Sequence, residues 1–279
     1  MSIFYRDDTI TLHHGDSLEV ARTLETGSVD CIVTSPPYYG LRDYGNDGQY
    51  GLEDTPADYV ETLRALFSEL RRLLSSDGTL WLNIGDSYGR NKRLLGVPWR
   101  VALELQDDGW ILRNSIIWHK PNAMPESVTD RLSVRHENLF MFSKASRYWF
   151  DLDPIREESG RVQEYRPNKW AGDGVRQHHG HRGSHANGRN PGDVWDISTE
   201  KFAGHHFAVM PQELARRAIV VGCKPGGVVL DPFSGSGTTG LVAQNNGRRY
   251  VGIDISADYL KLSLETRLQN AALDLGGVA

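Results

Sequence analysis

The sequence predicts an α/β protein organised around a doubly wound, mostly parallel β-sheet. Short apolar runs typical of buried strands alternate with amphipathic runs of helical period along much of the 279-residue chain. Several strand-like runs end in polar or glycine-rich turns, the clearest being residues 231–239 after the apolar run 227–230. Open parallel sheets bind ligands at the carboxyl ends of their strands, so we expect a binding site where these turns meet.

The composition predicts one large α/β domain that carries an insertion, since 39% of the residues are hydrophobic. The chain has neither an apolar run of membrane-spanning length nor a signal-peptide layout at residues 1–8, so we expect a cytoplasmic protein that does not enter a membrane. Cys31 and Cys223 lie beside apolar runs, which predicts buried free thiols. The net charge is −5, so a nucleic-acid partner would need a local basic surface.

Strands and helices alternate through the first half of the chain. Residues 9–12 alternate in polarity as a strand does, and Leu18, Ala21 and Leu24 share one side of a helix predicted over 17–24. The next elements are a buried strand over 30–33, an amphipathic helix over 57–74, a strand over 79–84, a helix over 97–105 and a strand over 110–118. The glycine-rich segment 40–51 is either a mobile lid or a plain surface loop.

The second half breaks this alternation once. Residues 136–144 and 148–150 are predicted to form a β-hairpin, and residues 151–195 lack periodicity, which indicates a long loop or a small insertion. The alternation then resumes with a helix over 212–221, a strand over 227–230, a helix that starts at 240, a strand over 250–253 and a last helix over 256–270.

The segment Asp231-Pro-Phe-Ser-Gly-Ser-Gly-Thr-Thr239 connects a predicted strand with a predicted helix. Glycines let the backbone approach a ligand, and a helix N-terminus offers unpaired N–H groups. About twenty residues later the next strand ends in Asp254, an offset at which an acidic residue takes ribose hydroxyls. No lysine of the Walker type follows the glycines, so a nucleoside triphosphate is a poor fit.

A second motif, Thr34-Ser-Pro-Pro-Tyr-Tyr39, stands at the carboxyl end of the strand predicted over 30–33. Its two prolines stiffen the backbone and fix the direction of the carbonyl before them. A hydroxyl and rigid carbonyls beside an aromatic ring can grip a planar ring that carries an amino group. A proline-rich turn that only ends a strand is the alternative, and the glycine-rich segment on the same chain argues against it.

Together the two motifs resemble the catalytic and cofactor motifs of DNA amino-methyltransferases, which methylate adenine N6 or cytosine N4. The catalytic motif comes first, as in the permuted β class of that family, and the likeness covers most of the chain outside residues 151–195. The resemblance implies a Rossmann-like methyltransferase fold with a seven-stranded sheet that ends in a β-hairpin. It also implies S-adenosyl-L-methionine as the cofactor and, as is frequent in that class, a homodimer.

The resemblance assigns roles residue by residue. The catalytic residues that it implies are Ser35, Pro36, Pro37 and Tyr38. The cofactor-binding residues that it implies are Asp16, Thr34, His206, Phe207, Asp231, Phe233, Ser234, Gly235, Ser236, Gly237, Thr238 and Asp254. Of these, Asp16 matches an acidic residue near the cofactor adenine, and the segment with His206 is expected near the methionine end.

An exocyclic amino nitrogen is a poor nucleophile because its lone pair is delocalised into the ring. Our mechanistic hypothesis is that the Pro36 carbonyl and the Ser35 side chain accept the two amino hydrogens, so that catalysis is mostly positioning. Tyr38 would stack on a base flipped out of the duplex. Methylation of cytosine at carbon 5 instead needs a thiolate nucleophile, and neither Cys31 nor Cys223 lies in the catalytic turn.

Contacts with double-stranded DNA are expected from the insertion and from one strand end. Lys120 and Asn122 follow the strand over 110–118, while Arg176, Arg182 and Arg189 lie in the stretch where the permuted class carries its target-recognition region. A solvated loop is the alternative for both segments. The histidines at 178, 179, 181 and 185 have no cysteine partners and are flanked by glycines, so we expect no metal site.

The sequence thus predicts a site-specific DNA methyltransferase with three segments. Residues 1–150 form the catalytic half of the domain, 151–200 the target-recognition insertion and 201–279 the cofactor-binding half. The run 34–45 resembles solitary methylases among which adenine activity occurs, which slightly favours adenine N6, whereas serine in place of aspartate favours cytosine N4. An inactive DNA-binding regulator, or a methyltransferase that acts on RNA, protein or a small molecule, is the alternative.

Overall fold

The computed structural model describes residues 2–46, 48–158, 187–200 and 210–269. In these residues nine strands form one sheet, in the order β1-β2-β9-β8-β3-β4-β6-β5-β7. The strands are β1 Ser2–Arg6, β2 Ile10–His14, β3 Val29–Thr34, β4 Leu74–Ile84, β5 Ile111–His119, β6 His136–Ser143, β7 Val194–Asp196, β8 Val228–Asp231 and β9 Arg249–Asp254. The helices are α1 Ser17–Thr23, α2 Pro56–Leu73, α3 Val97–Asp107, α4 Gln212–Gly222, α5 Thr238–Asn245 and α6 Ala257–Ser263.

The centre of the sheet is parallel, with β2, β9, β8, β3 and β4 running in one direction. Strand β6 is antiparallel to both β4 and β5, and β1 is antiparallel to β2 at the edge. The predicted fold class is confirmed. The structure adds two short edge strands, β1 and β7, to the expected seven. They were not predicted because neither carries a sequence pattern that marks it as a strand.

The helices cover both faces of the sheet. Buried residues of α1, α2 and α3 pack on one face, and those of α4, α5 and α6 pack on the other. Neighbouring strand residues alternate between the two cores, as Cys31 and Ile32 do in β3. The amphipathic run predicted over 57–74 is α2, which starts at Pro56 after the N-cap Thr55. The expected burial of both cysteine thiols is confirmed.

The predicted hairpin between residues 136–144 and 148–150 is wrong. The strand that precedes and pairs with β6 is β5, and residues 148–150 form no strand. Both edges of β6 are occupied, by β4 and by β5, so no edge remains for a further strand. The backbone N–H of Trp149 instead donates to the Asp77 carbonyl of β4 at 2.8 Å.

Two helix ends also differ from the expectation. Helix α5 begins at Thr238 rather than at 240, after Gly237 in the left-handed conformation at φ 77°. The last helix ends as α6 at Ser263 and continues as a π-helical segment, Leu264–Leu268. No helix in the described ranges is long and apolar enough to cross a membrane.

Replacing Gly222 by alanine should destabilise the fold. Gly222 ends α4 where the helix packs on β4, and an added Cβ would overlap Trp81 Nε1 and lie 2.6 Å from Thr79 Oγ1. Overpacking of this kind costs about 1–3 kcal/mol. Urea unfolding followed by circular dichroism measures the loss. Gly89→Ala is the matched control, since its Cβ would meet only the end of the flexible Leu95 side chain. Equal stability of the two variants would contradict this account of the α4–β4 contact.

Candidate active site

One cavity of about 360 Å³ opens at the carboxyl ends of the parallel strands. Its wall includes Asp16 after β2, Ser35 after β3, Asp231 at the end of β8 and Asp254 at the end of β9. Because β3 and β8 are neighbours in the sheet, the two motifs meet although they are far apart in the sequence. The volume suits a small-molecule ligand that is largely enclosed.

The carboxylate of Asp231 connects the two motifs directly. Its Oδ1 accepts hydrogen bonds from Thr34 Oγ1 at 2.7 Å and from the Phe233 N–H at 3.0 Å. Its Oδ2 accepts one from Thr239 Oγ1 at 2.8 Å. Burial raises the pKa of Asp231 from 3.8 to about 6, and the three hydrogen bonds act in the opposite direction. One buried carboxylate therefore holds the end of β3, the glycine-rich turn and the start of α5 together.

The glycine-rich turn is fixed by contacts with the neighbouring strand end. The Ser234 N–H donates to the Ile253 carbonyl at 2.9 Å, and the Gly235 N–H donates to Asp254 Oδ2 at 2.7 Å. The glycine at 237 has a φ of 77°, and a Cβ there would lie 2.8 Å from the nearest side-chain carbon of α6. The turn is thus packed between β9 and α6, and a side chain at this glycine would push it out of place.

Two further carboxylates stand on the same side of the cavity. Asp254 Oδ1 accepts from the Ser256 N–H at 2.8 Å, and burial raises the pKa of Asp254. Asp16 caps α1 by accepting from the Glu19 N–H at 2.9 Å. Both groups line the cavity and keep lone pairs for further donors, as an acidic contact with ribose or adenine requires.

The segment 40–51 contributes to the wall of the cavity. Leu41, Tyr44 and Tyr50 line it, and the Tyr50 ring meets the Phe233 ring edge-on with 5.0 Å between centroids. Tyr50 is buried, so this part of the segment is packed against the cofactor motif and is more than a solvated surface loop.

The proline-rich turn after β3 is held from two sides. The Tyr59 hydroxyl of α2 donates to the Pro37 carbonyl at 2.8 Å. The Tyr38 ring lies over Gly85, where an added Cβ would come within 2.6 Å of it. The backbone that presents Ser35 to the cavity therefore has little freedom to move.

The Tyr38 hydroxyl enters a polar cluster behind this turn. It donates to Glu137 Oε2 at 2.6 Å, and Asn83 Nδ2 donates to the Tyr38 oxygen at 2.8 Å and to Glu137 Oε2 at 2.9 Å. Lys120 forms an ion pair with Glu137 Oε1, and its ammonium lies 4.6 Å from the centroid of the Trp118 ring. Burial, followed by the charge of Glu137, raises the pKa of Tyr38 well above its ordinary value, so this phenol stays protonated.

Asn83 and Glu137 are two site residues that the sequence motifs do not predict. A polar residue inside the apolar run of β4 was the available sign for Asn83. Glu137 is the second residue of β6, where a charged side chain at the start of a strand gives no signal of its own. Both line the cavity.

Most of the residues expected at the site share this one cavity. Those that line it are Asp16, Ser35, Pro36, Pro37, Tyr38, Lys120, Asp231, Phe233, Ser234, Gly235, Ser236, Thr238 and Asp254. Thr34 and Gly237 do not line it and act on it through Asp231 and the packing of the turn. His206 and Phe207 lie outside the described residues.

Of the residues expected to contact DNA, Asn122 and Arg189 already have partners within the protein. Asn122 is clamped to Thr199, with Nδ2 donating to the Thr199 carbonyl at 3.1 Å and Oδ1 accepting from its N–H at 2.8 Å. Arg189 forms an ion pair with Glu157 at 2.7 Å. The arginines at 176 and 182 lie outside the described residues, as do the four histidines of the 178–185 stretch. In the part of the chain that is described, no group of three or more His, Cys, Asp or Glu side chains could hold a metal ion.

The residues of the cavity fit a cofactor that carries a nucleoside. Asp16 and Asp254 offer carboxylate acceptors, Phe233 and Tyr50 offer apolar faces, and the turn offers backbone groups. Ser236 Oγ is buried without a hydrogen-bond partner among the described residues, which leaves it available to a bound molecule.

Comparison with protein families gives one match that spans most of the chain. The family model described as DNA methylase matches residues 29–265. Type II methyltransferase M.Cfr9I of Citrobacter freundii is 44% identical over 93% of this chain and 87% of its own length. Type II methyltransferase M.SmaI of Serratia marcescens is 43% identical over 91% of this chain and 89% of its own length.

Solved structures share the fold. PvuII DNA methyltransferase (cytosine-N4-specific) superposes with a TM-score of 0.72 at 20% identity, covering 97% of this chain and 92% of its own. A Thermus thermophilus protein described as a DNA modification methylase, solved in complex with S-adenosyl-L-methionine, superposes with a TM-score of 0.63 at 27% identity. That comparison covers 96% of both chains.

The raised pKa of Asp231 predicts a specific pH dependence of stability. Because the folded-state pKa of about 6 lies above 3.8, the folded protein binds this proton more readily than the unfolded chain does. The contribution of Asp231 to stability therefore falls as the pH rises from about 4 to about 6, by up to about 3 kcal/mol. Asp231→Asn lacks this titration.

Urea unfolding of the wild type and of Asp231→Asn at several pH values between 4 and 8 measures the effect. As the pH rises from about 4 to about 6, the free energy of unfolding of the wild type should fall relative to that of the variant, and above pH 6 the difference should stay constant. A difference that is the same at every pH would show that the pKa of Asp231 is not raised in the folded state.

Proposed function

Because this chain belongs to the DNA methylase family, we propose that it methylates the exocyclic amino group of a base that is flipped out of duplex DNA. The chain is an S-adenosyl-L-methionine-dependent DNA methyltransferase of the N6/N4 kind. When bound, S-adenosyl-L-methionine supplies the methyl group from its sulfonium. The observation that carries the proposal is that the Ser35-Pro-Pro-Tyr38 turn and the glycine-rich turn line one cavity.

In this proposal one side of the cavity binds the cofactor and the other side binds the base. Asp16, Phe233 and Asp254 hold the nucleoside of the cofactor, and residues 234–238 support its remaining part. On the other side, Ser35 Oγ and the carbonyl of the proline after it accept the amino hydrogens of the base, while the tyrosine of the turn packs against its ring. Most of the rate enhancement then comes from orientation, because no covalent bond between enzyme and base is needed.

Two amino groups are candidates for the methyl acceptor. The resemblance of the run 34–45 to solitary methylases slightly favours adenine N6. A structural observation favours cytosine N4: Lys120 lines the same cavity as Ser35. On its Watson–Crick edge, cytosine presents two acceptors beside the amino group, N3 and O2, whereas adenine presents only N1. A cationic side chain in the wall can therefore bind more acceptor atoms of cytosine than of adenine. Mass spectrometry of nucleosides from DNA treated with the enzyme tells N4-methylcytosine from N6-methyladenine.

The segments keep the roles expected from the sequence as part of the proposal. Residues 1–150 are the catalytic half of the domain, 151–200 the target-recognition insertion and 201–279 the cofactor-binding half. The protein acts as a homodimer in this proposal. An inactive regulator would not need the full set of contacts around Asp231, Tyr38 and Asp254. RNA or protein as the substrate is tested by offering each in place of duplex DNA.

Ser35→Ala should lower the methylation rate constant by roughly 100-fold, since losing one of the two acceptors leaves the amino group poorly oriented. The affinity for S-adenosyl-L-methionine should stay within about twofold, because Ser35 faces the base side. Single-turnover transfer of labelled methyl to duplex DNA measures the rate constant, and calorimetry measures the affinity. A Ser35→Ala variant with the wild-type rate would remove Ser35 from the proposed grip.

Arg176→Ala combined with Arg182→Ala should weaken DNA binding and flatten its salt dependence. Each phosphate contact contributes about 0.9 to the slope of log K against log salt, so the slope should fall by roughly 1–2. Arg22→Ala is the matched control, since Arg22 is an exposed arginine outside residues 151–200 and pairs with Glu19 in α1. Fluorescence anisotropy at several salt concentrations measures both. If the double variant binds DNA as the control does, Arg176 and Arg182 do not contact DNA, and another part of the chain must recognise it.

A further inference from the structure

A serine that accepts hydrogen bonds from an amino group must donate its own hydroxyl hydrogen to some other acceptor. A hydroxyl is both donor and acceptor, and a proton aimed at the amino group would oppose the grip. In this structure Ser35 Oγ is placed to donate to the Tyr38 hydroxyl, with 3.3 Å between the two oxygens. The proton of Ser35 is thereby directed away from the base site, and its lone pairs are left for the amino group.

Tyr38 can take that proton only if its own proton goes elsewhere. The Tyr38 hydroxyl donates to Glu137 Oε2 at 2.6 Å and accepts a second hydrogen bond from Asn83 Nδ2 at 2.8 Å. Its donor and both of its acceptor positions are then used. The direction of each hydrogen bond is therefore fixed from the carboxylate outward, from Glu137 through Tyr38 to Ser35.

The Asn83 amide leaves the lone pairs of Ser35 largely unused. Its Nδ2 carries two hydrogens, and its two shorter contacts are those with Tyr38 at 2.8 Å and with Glu137 Oε2 at 2.9 Å. The third contact, with Ser35 Oγ, is 3.4 Å long. Because the contact with Ser35 is the longest of the three, Asn83 competes only weakly with an amino group for Ser35.

Glu137 receives donors on both of its oxygens in this half-buried position. Its side chain is 15% exposed, and Oε1 pairs with the Lys120 ammonium, itself 19% exposed. Oε2 accepts from Asn83 as well as from Tyr38. Because a carboxylate accepts hydrogen bonds and does not donate them, it sets the direction of the hydrogen bonds of the hydroxyls that follow.

We infer that Glu137 is a positioning residue for methyl transfer, which orients the Ser35 hydroxyl through Tyr38 so that serine presents only lone pairs to the amino group. This inference rests on the proposed function of the cavity. It gives Ser35 the acceptor character that a carboxylate at position 35 would have by itself. Glu137 acts through Tyr38 and needs no contact with the base.

Glu137→Gln tests the inference, because glutamine keeps the size of the side chain but can present an N–H to Tyr38. The single-turnover rate constant should fall by about 10- to 100-fold, as expected for losing a charge-assisted hydrogen bond. Calorimetric affinity for S-adenosyl-L-methionine and the melting temperature should stay near those of the wild type. Glu69→Gln is the matched control, since it also removes an ion pair, the one with Arg72 at 2.8 Å in α2.

Two double-variant comparisons separate orientation from simple structural damage. Once Tyr38→Phe has removed the connecting hydroxyl, adding Glu137→Gln should slow the reaction no further. When Ser35→Asp supplies its own carboxylate, Glu137→Gln should change the rate by less than about threefold, since no serine proton is left to orient. A merely structural role of Glu137 would instead give the same loss in every background.

The outcomes distinguish this inference from the proposed function. If the wild type forms no methylated base in DNA, the proposed function fails. If the wild type methylates DNA but Glu137→Gln is as fast as Glu69→Gln, or if its loss is fully additive with Tyr38→Phe, only the role of Glu137 is overturned.

Discussion

The hydrogen bonds of the Asp231 carboxylate are the interaction on which the rest of the site depends. One buried group holds Thr34, which precedes the catalytic turn, together with Phe233 and Thr239 of the cofactor turn. Burial opposes its charge, and the raised pKa records that cost. The three donors offset it, so the carboxylate can stay in place only while both turns keep their positions. The geometry of the base side and that of the cofactor side are thus set by the same atoms.

This arrangement follows from the order of the strands. The catalytic turn comes early in the chain and the cofactor turn late, yet β3 and β8 are direct neighbours. Parallel neighbours end at the same edge of a sheet, so any pair of motifs that follows them must meet. The order of motifs along the chain is therefore free to vary, while their contact in space is not. A permuted order needs no new geometry at the site.

Much of this was predictable because it depends on local patterns. Buried strands, the amphipathic helix α2 and both glycine- or proline-rich turns can be recognised from neighbouring residues alone. The hairpin with residues 148–150 was wrong because strand pairing depends on which edges are already occupied, and β6 lies between β4 and β5. The edge strand β1 is mostly exposed and so lacks the apolar alternation that marks a strand. Asp231 was expected to bind cofactor, but its bonds to Thr34 and Thr239 could not be foreseen from the sequence.

Glu137 is a site residue that lies at the start of a strand. In parallel sheets, functional residues are expected after the carboxyl end of a strand, and this expectation holds only for the parallel strands. Strand β6 runs antiparallel to β4, so it brings its first residues to that same edge. Glu137 is the second residue of β6, pairs with Trp118 in the sheet and reaches Tyr38 behind the catalytic turn. An antiparallel strand inside a mostly parallel sheet therefore brings its first residues to the edge where the parallel strands end. In this way it adds a charged side chain to the site that no residue following a parallel strand provides.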